Sequence, residues 1–465
     1  MGSKGFFASI AGARGDVDMT EGSISRHILA FAFPLLLGNL FQQFYNTVDA
    51  WVVGNYVSNE AFSAVGAVGP IINTLIGFFS GLATGAGVVI SQYYGAGEHR
   101  RVGHAVHTAL ILTAGLGVVF TAVGILITPA MITLMKTPEE AIPEATAYLT
   151  VCFAGIFGLM IYNMGAGILR AVGDSQRPFL FLVISAVVNT GLDLLFVLRF
   201  GMGVEGVAYA TILSQGISAV LVILTLATAK NCIRFSFRTL RVTPPVLRQI
   251  VRIGMPAALQ LAVTNFSNIF VQSYINDFGT NCMSGWTAYA KIDQLLLLPM
   301  QAISLGVTTF VGQNLGKGDE PRAKRGVRVG LVFSILSALI LMAPVMIFAP
   351  SLVAFFNDKT EVVEYGALFL RWISPFYVLC CVNQIYAGAL RGAGDSRAPM
   401  FFMLGSFVLF RQIYLFVFSR VLPGEILPVV LGYPAGWLLC SSIFVIYYRR
   451  SHLLKKRIVA PRTGE

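Results

Sequence analysis

Two aspartates lie inside long apolar stretches, Asp49 and Asp193. An ionisable side chain in such a stretch costs several kcal/mol unless it is paired or hydrated, so each is a candidate for function. Gln42, Tyr45 and Asn46 precede Asp49 by seven, four and three residues. On a helix that spacing places all four on one face. Asn189 stands one turn before Asp193, and Asn163 and Thr211 add polar groups to neighbouring apolar runs. Two carboxyl groups brought together where water is scarce resist being charged at once. Such a cluster can hold one proton, or a sodium ion, and its titration belongs to the pair. The plainer alternative is that these groups cap helix ends or bridge helices. Pro34 interrupts the backbone hydrogen bonding of the same run as Asp49, which suits a helix that bends, though a passive kink reads the same way.

The second half carries Lys291, Asp293 and Arg411 in apolar runs. They are candidates for a second polar site or a salt-bridged latch, with a structural pair involving Arg411 the favoured reading. Lys291 and Asp293 are two apart and do not share a helix face. His99, His104 and His107 are spaced like metal ligands but flank one end of a single run, so no metal is expected. The six cysteines show no CxxC pair and read as small core residues. No G-x-x-x-x-G-K-[ST] stretch is present, and no nucleophile with a base, so neither an ATP-driven pump nor an enzyme is indicated.

The elements that must position these residues are helices in lipid. Of 465 residues, 56% are hydrophobic and only 12% charged, against about a quarter charged in soluble chains. Twelve apolar runs reach the ~20 residues needed to cross a hydrocarbon core. They lie near 25–52, 61–85, 104–127, 145–165, 178–198, 206–229, 248–275, 285–309, 326–348, 364–387, 399–420 and 426–448. Backbone groups in lipid must bond internally, and the runs lack period-2 alternation, so they are helices. The short apolar run Phe6 to Ala13 does not read as a signal peptide.

The chain is also written twice. Ala166 to Pro178 matches Ala387 to Pro399 at eight of thirteen positions, with an offset of 221. Gln92, Gly95 and Gly97 map onto Gln313, Gly316 and Gly318 at the same offset, and Pro34 and Asn46 map onto Pro256 and Asn268 at 222. Each copy holds six helices, an even number, so the copies enter the membrane in the same direction. The expected fold is an all-α membrane protein of twelve transmembrane helices, in two pseudo-symmetric six-helix bundles (parallel repeats) around a central cleft. Segments 1–24 and 449–465 are expected as cytoplasmic ends, 25–229 and 248–448 as lobes, and 230–247, with Pro244-Pro245, as a cytoplasmic linker. Twenty-six of the 33 Lys and Arg residues fall in the segments that this topology puts on one side, which places both termini in the cytoplasm. Five, including Lys136, fall on the other. That bias accounts for the net charge of +11 without nucleic acid. Arg170 with Asp174, and Arg391 with Asp395, are spaced i to i+4 and read as clamps on a turn.

These residues resemble the multidrug and toxic compound extrusion (MATE) transporters over about 20 to 450. The marks are Pro34 with Gln42, Tyr45 and Asp49 in V-D-A-W-V-V-G, the Q-x-x-G-x-G stretch, the L-R-A-V-G-D-S turn and N-x-x-x-D at Asn189 and Asp193. The resemblance implies export of amphipathic, often cationic compounds by antiport against protons or sodium, from a bacterial plasma membrane. It assigns Pro34, Gln42, Tyr45 and Asp49 on helix 1, Tyr148 and Asn163 on helix 4, Asn189 and Asp193 on helix 5 and Thr211 on helix 6 to one site. Where some branches have a glutamate in helix 7 and an aspartate in helix 10, this chain has Gln260, Asn265, Cys381, Asn383 and Gln384, which shifts the weight to the first-lobe acids. Expected partners are small-molecule drugs or organic cations and the lipid bilayer. No cofactor beyond a coupling H+ or Na+ is expected, and the chain is expected to be a monomer. The rival is a lipid-linked precursor flippase or polysaccharide exporter, which would line its cleft with cations.

Overall fold

The structure, a computed structural model, describes residues 17–57, 59–134, 140 and 142–459. Phe6 to Ala13 and Lys136 lie outside the described residues. Twelve helices there are long and apolar enough to cross a membrane. They are α1 (Ile24–Tyr56), α2 (Asn59–Gly95), α3 (His99–Leu134), α4 (Ile142–Ala171), α5 (Gln176–Arg199), α6 (Gly203–Thr228), α7 (Pro244–Asn276), α8 (Thr280–Lys317), α9 (Glu320–Ile347), α10 (Thr360–Gly392), α11 (Arg397–Val421) and α12 (Ile426–Arg450). Each overlaps one of the twelve apolar runs. Most extend beyond it, because the polar residues at helix ends continue the backbone ladder outside an apolar core.

Three helices are not uniform. α5 ends in a π-helical stretch, Leu195–Arg199, which begins two residues after Asp193. A π-helical stretch, Gly405–Phe410, also interrupts α11 just before Arg411. A 3-10 turn, Ser374–Phe376, divides α10, whereas α4 is one uninterrupted helix of 30 residues. The turn contains Pro375, which lacks the amide hydrogen an α-helix would use.

By contacts the chain divides into two compact units. The first holds Pro34–Gly254 with Val17 and Asp18, and the second holds Met19–Phe33 with residues 255–459. Of the three divisions, the one at Asp18 precedes α1 and the other two fall inside helices, α1 and α7, beside Pro34 and Pro256. The stretch of α1 before Pro34 therefore groups with the second unit. Proline removes a ladder hydrogen bond at both places.

In the first unit α4 packs against α6 through small residues. A Cβ on Gly155 would meet Ile212 at 2.2 Å, and one on Gly165 would meet Val222 at 1.9 Å. Glycines at such contacts let helix backbones approach closely where lipid gives no hydrophobic drive. Tyr148, Leu149, Phe153 and Phe79 lie in the buried core of this unit. The second unit has its own core, around Trp286, Tyr289, Phe369 and Tyr377.

The repeated sequence builds repeated corners. Gly97 and Gly318 have φ of +71° and +92°, and Gly173 and Gly394 have +88° and +98°. Left-handed values of this kind favour glycine. At each L-R-x-x-G-D-S turn the Asp amide reaches back to a helix carbonyl, Asp174 to Leu169 and Asp395 to Leu390. Asp174 Oδ1 accepts from the amides of Gln176 and Arg177, both at 3.1 Å, and its ion pair is with Arg177. Asp395 Oδ1 accepts from the Ala398 amide at 3.1 Å, and Oδ2 from the Tyr447 hydroxyl at 3.0 Å. Arg391 donates to Gln260. These aspartates cap the next helix, as an N-terminal carboxylate should. Gln313 of the second Q-x-x-G-x-G accepts the Met19 amide at 2.9 Å.

Candidate functional site

The first unit contains a cavity of about 250 Å³. Gln42, Tyr45, Asn46 and Asp49 of α1 line it together, as the seven-, four- and three-residue spacing requires. Its other walls are mostly aliphatic and aromatic, Ile72, Ile76, Tyr148, Phe153, Ile156 and Ile212 among them, with Asn73 as a further polar group. Thr211 also reaches it, with its hydroxyl bonded to the Val207 carbonyl at 3.0 Å.

Asp193 lies behind this wall, 0% exposed. Its carboxyl group and that of Asp49 lie close enough to interact. No hydrogen-bond donor among the described residues reaches either oxygen of Asp193. Two carboxyl oxygens that close need a proton or a cation between them, because two bare anions repel. Tyr148 of α4 is close enough to feel both acids and is bonded to Cys152. Tyr45 bonds Gln42 and Gln215 and lies near Asp49.

The predicted residues are not all equivalent. Asn189 is 1% exposed, one turn from Asp193, and among the described residues no partner bonds either polar atom of its amide. Asn163 is not in the cavity wall; its amide donates to Leu159 of its own helix at 2.9 Å. Asn46 lines the cavity from an exposed position, 3.4 Å from Gln43. Pro34 sits inside α1 fifteen residues before Asp49, at the unit boundary. Sequence reasoning missed Gln215 and Cys152, both in the wall. Gln215 stands four residues after Thr211 on the same face of α6, a signal that was available.

The second unit holds a separate polar cluster. Tyr289 and Tyr377 both donate to Asp293 Oδ1, the former at 3.1 Å. Arg411 is 3% exposed. It donates to Ser267 at 3.2 Å and Asn268 at 2.9 Å, and its guanidinium lies 4.6 Å from the Tyr433 ring centre. The expected pair involving Arg411 is therefore made with neutral groups, and among the described residues no ion pair joins Arg411 to Asp293. Tyr433 lies close enough to feel both. Lys291 is exposed. His107 accepts the Ser236 amide at 3.3 Å and packs on Phe235.

The MatE family model matches residues 34–195 and again 256–417. The chain belongs to the MatE family, the multidrug and toxic compound extrusion transporters. The two matches are the two copies read in the sequence. A MatE protein is a multi-pass transporter and not an enzyme. Similar proteins include the probable multidrug resistance protein YpnP of Bacillus subtilis, 32% identical over 93% of this chain and 96% of YpnP. The probable multidrug resistance protein YoeA of the same organism is 28% identical over 94% of this chain and 95% of YoeA. A solved structure, the outward-facing conformation of a multidrug resistance MATE family transporter of the MOP superfamily, superposes with a TM-score of 0.89 at 23% identity. The likeness covers 95% of this chain and 99% of that one. At that identity it speaks for the MatE fold alone.

Proposed function

We propose that this transporter exports amphipathic organic cations in exchange for an inward-moving cation that binds between Asp49 and Asp193. The observation that carries the reading is the meeting of two carboxyl groups at the back of an oily cavity. Asp49 faces the cavity and Asp193 does not, so the acids divide the work. A cargo cation entering among Tyr45, Tyr148 and Phe153 gains from the ring faces and from the charge of Asp49. When a proton or sodium ion occupies the pair, that charge is cancelled and the cargo loses its anchor. Binding of one therefore opposes binding of the other, which is the requirement for antiport.

In the outward-facing state the acids take up the cation, α1 shifts near Pro34, and cargo leaves. The protein then closes outside and opens inside, and the cation is released to the cytoplasm. Both termini are cytoplasmic in this scheme, in a bacterial plasma membrane, and one chain is a complete transporter.

The test is export of ethidium by purified protein in liposomes, driven by an imposed proton gradient or an imposed sodium gradient, with Asp49→Asn and Asp193→Asn alongside. The expected result is that one gradient drives export and that each variant loses it. Transport by both variants at the parent rate would overturn the mechanism.

A further inference from the structure

The offset that aligns the two copies also aligns their interiors. Asp293, Cys380, Tyr377, Trp286 and Tyr433 stand 221 residues after Ile72, Leu159, Ile156, Val65 and Ile212. All five earlier residues line the cavity of the first unit. Gly203 and Gly424, at the starts of α6 and α12, share the offset and the positive φ, so the register holds at that end of the chain too. Where the first unit has an aliphatic wall, the second thus has an acid, a cysteine and three aromatic side chains.

We propose that Asp293 is a proton-exchange site of the second unit, held by Tyr289 and Tyr377 and balanced by Arg411 across the Tyr433 ring. The inference deepens the proposed antiport and rests on that reading only for its role in transport. The groups that face Asp293 are Tyr289 on its own helix, Tyr377 and Cys380 on α10, Tyr433 on α12 and, beyond that ring, Arg411 on α11. None of the hydrogen-bonding partners is charged, so the carboxylate is stabilised by hydroxyl donors and a distant cation rather than locked in an ion pair.

The donor set fits a proton better than a metal ion. Both tyrosine hydroxyls point their hydrogens at Oδ1. A hard cation needs a shell of oxygen lone pairs, and the guanidinium would repel it. Hydronium can give its proton to Oδ2, which takes neither tyrosine; an O–H bond forms on the carboxyl group and water leaves. Hydrogen bonds to a neutral acceptor are roughly half as strong as those to an anion. Tyr377 is the first residue after the 3-10 turn that divides α10. Loosening its bond slackens the tie between that turn and α8. A proton at Asp293 is in this way read out as a change at the break in α10.

The test is infrared difference spectroscopy of the full-length protein in liposomes as pH is stepped. A protonated carboxyl band should persist in the Asp49→Asn/Asp193→Asn double variant and vanish in Asp293→Asn. Tyr377→Phe should shift that band while Tyr365→Phe leaves it in place. The number of protons moved per ethidium, from the proton gradient that just stops export, should fall by one in Asp293→Asn. A band unaffected by Asp293→Asn, or a proton count unchanged by it, would overturn the proposal. If protons drive no export in the parent but the Asp293 band still titrates, the site stands and the antiport reading is what fails.

Discussion

At the scale of single residues, the first unit pairs one acid that sees the cavity with one that does not. Replacing Asp193 by Asn leaves the oily wall intact and removes the partner of Asp49. Export driven by the coupling gradient should fall at least tenfold, since a lost charge-assisted contact is worth about 1.5–3 kcal/mol and each 1.4 kcal/mol is a factor of ten. Binding of ethidium without a gradient should survive, and fluorescence titration would show it. Gln215 makes a different prediction. Its bond to Tyr45 shapes the wall without touching either acid. Gln215→Leu should weaken ethidium binding roughly fivefold, the worth of about 1 kcal/mol, while leaving the number of cations moved per cargo unchanged. A change in that number would place Gln215 in the coupling machinery instead.

Among the elements, α4 is held by close approaches that tolerate no added methyl group. Gly165→Ala should cost about 1–3 kcal/mol through overpacking against Val222, read as a lower melting temperature of the purified protein. Gly115→Ala on α3 meets nothing within 4 Å and should cost nothing, gaining up to about 1 kcal/mol from helix propensity. Equal effects would mean that α4 and α6 pack more loosely than described. The elements also show what could be read in advance. The spans were legible because lipid permits only internally bonded helices, and the α1 face because Asp49, Asn46, Tyr45 and Gln42 keep helical spacing. The junction of Asp49 with Asp193 was legible only through the family resemblance, since the residues alone do not say how α1 and α5 pack. The division of α10 was hidden because Ser374-Pro375-Phe376 sits in an apolar run, where proline is tolerated in many helices. The tyrosines around Asp293 were half visible: Tyr289 is one turn away, but Tyr377 comes from another helix 84 residues on.

For the whole molecule, the distribution of Lys and Arg predicts one orientation. In a cysteine-free background, a thiol placed at Ser236 should react with an impermeant reagent only from the cytoplasmic side. One placed at Asn281, at the start of α8 beside Glu361 of α10, should react only from outside. Labelling in the opposite sense would invert the orientation. A last consequence follows from the glycine corners. Adding one residue to a helix turns everything beyond it by about 100°, so a length change within a span would misdirect every later side chain relative to its twin. From Gln92 and Gln313 to Gly203 and Gly424 the spacing stays at 221. The slip from 222 lies between Asn46 and Gln92, a stretch that includes the corner joining α1 to α2. Beyond that corner the two halves differ in the side chains they carry and keep one common count of residues, so each position still faces the way its twin does.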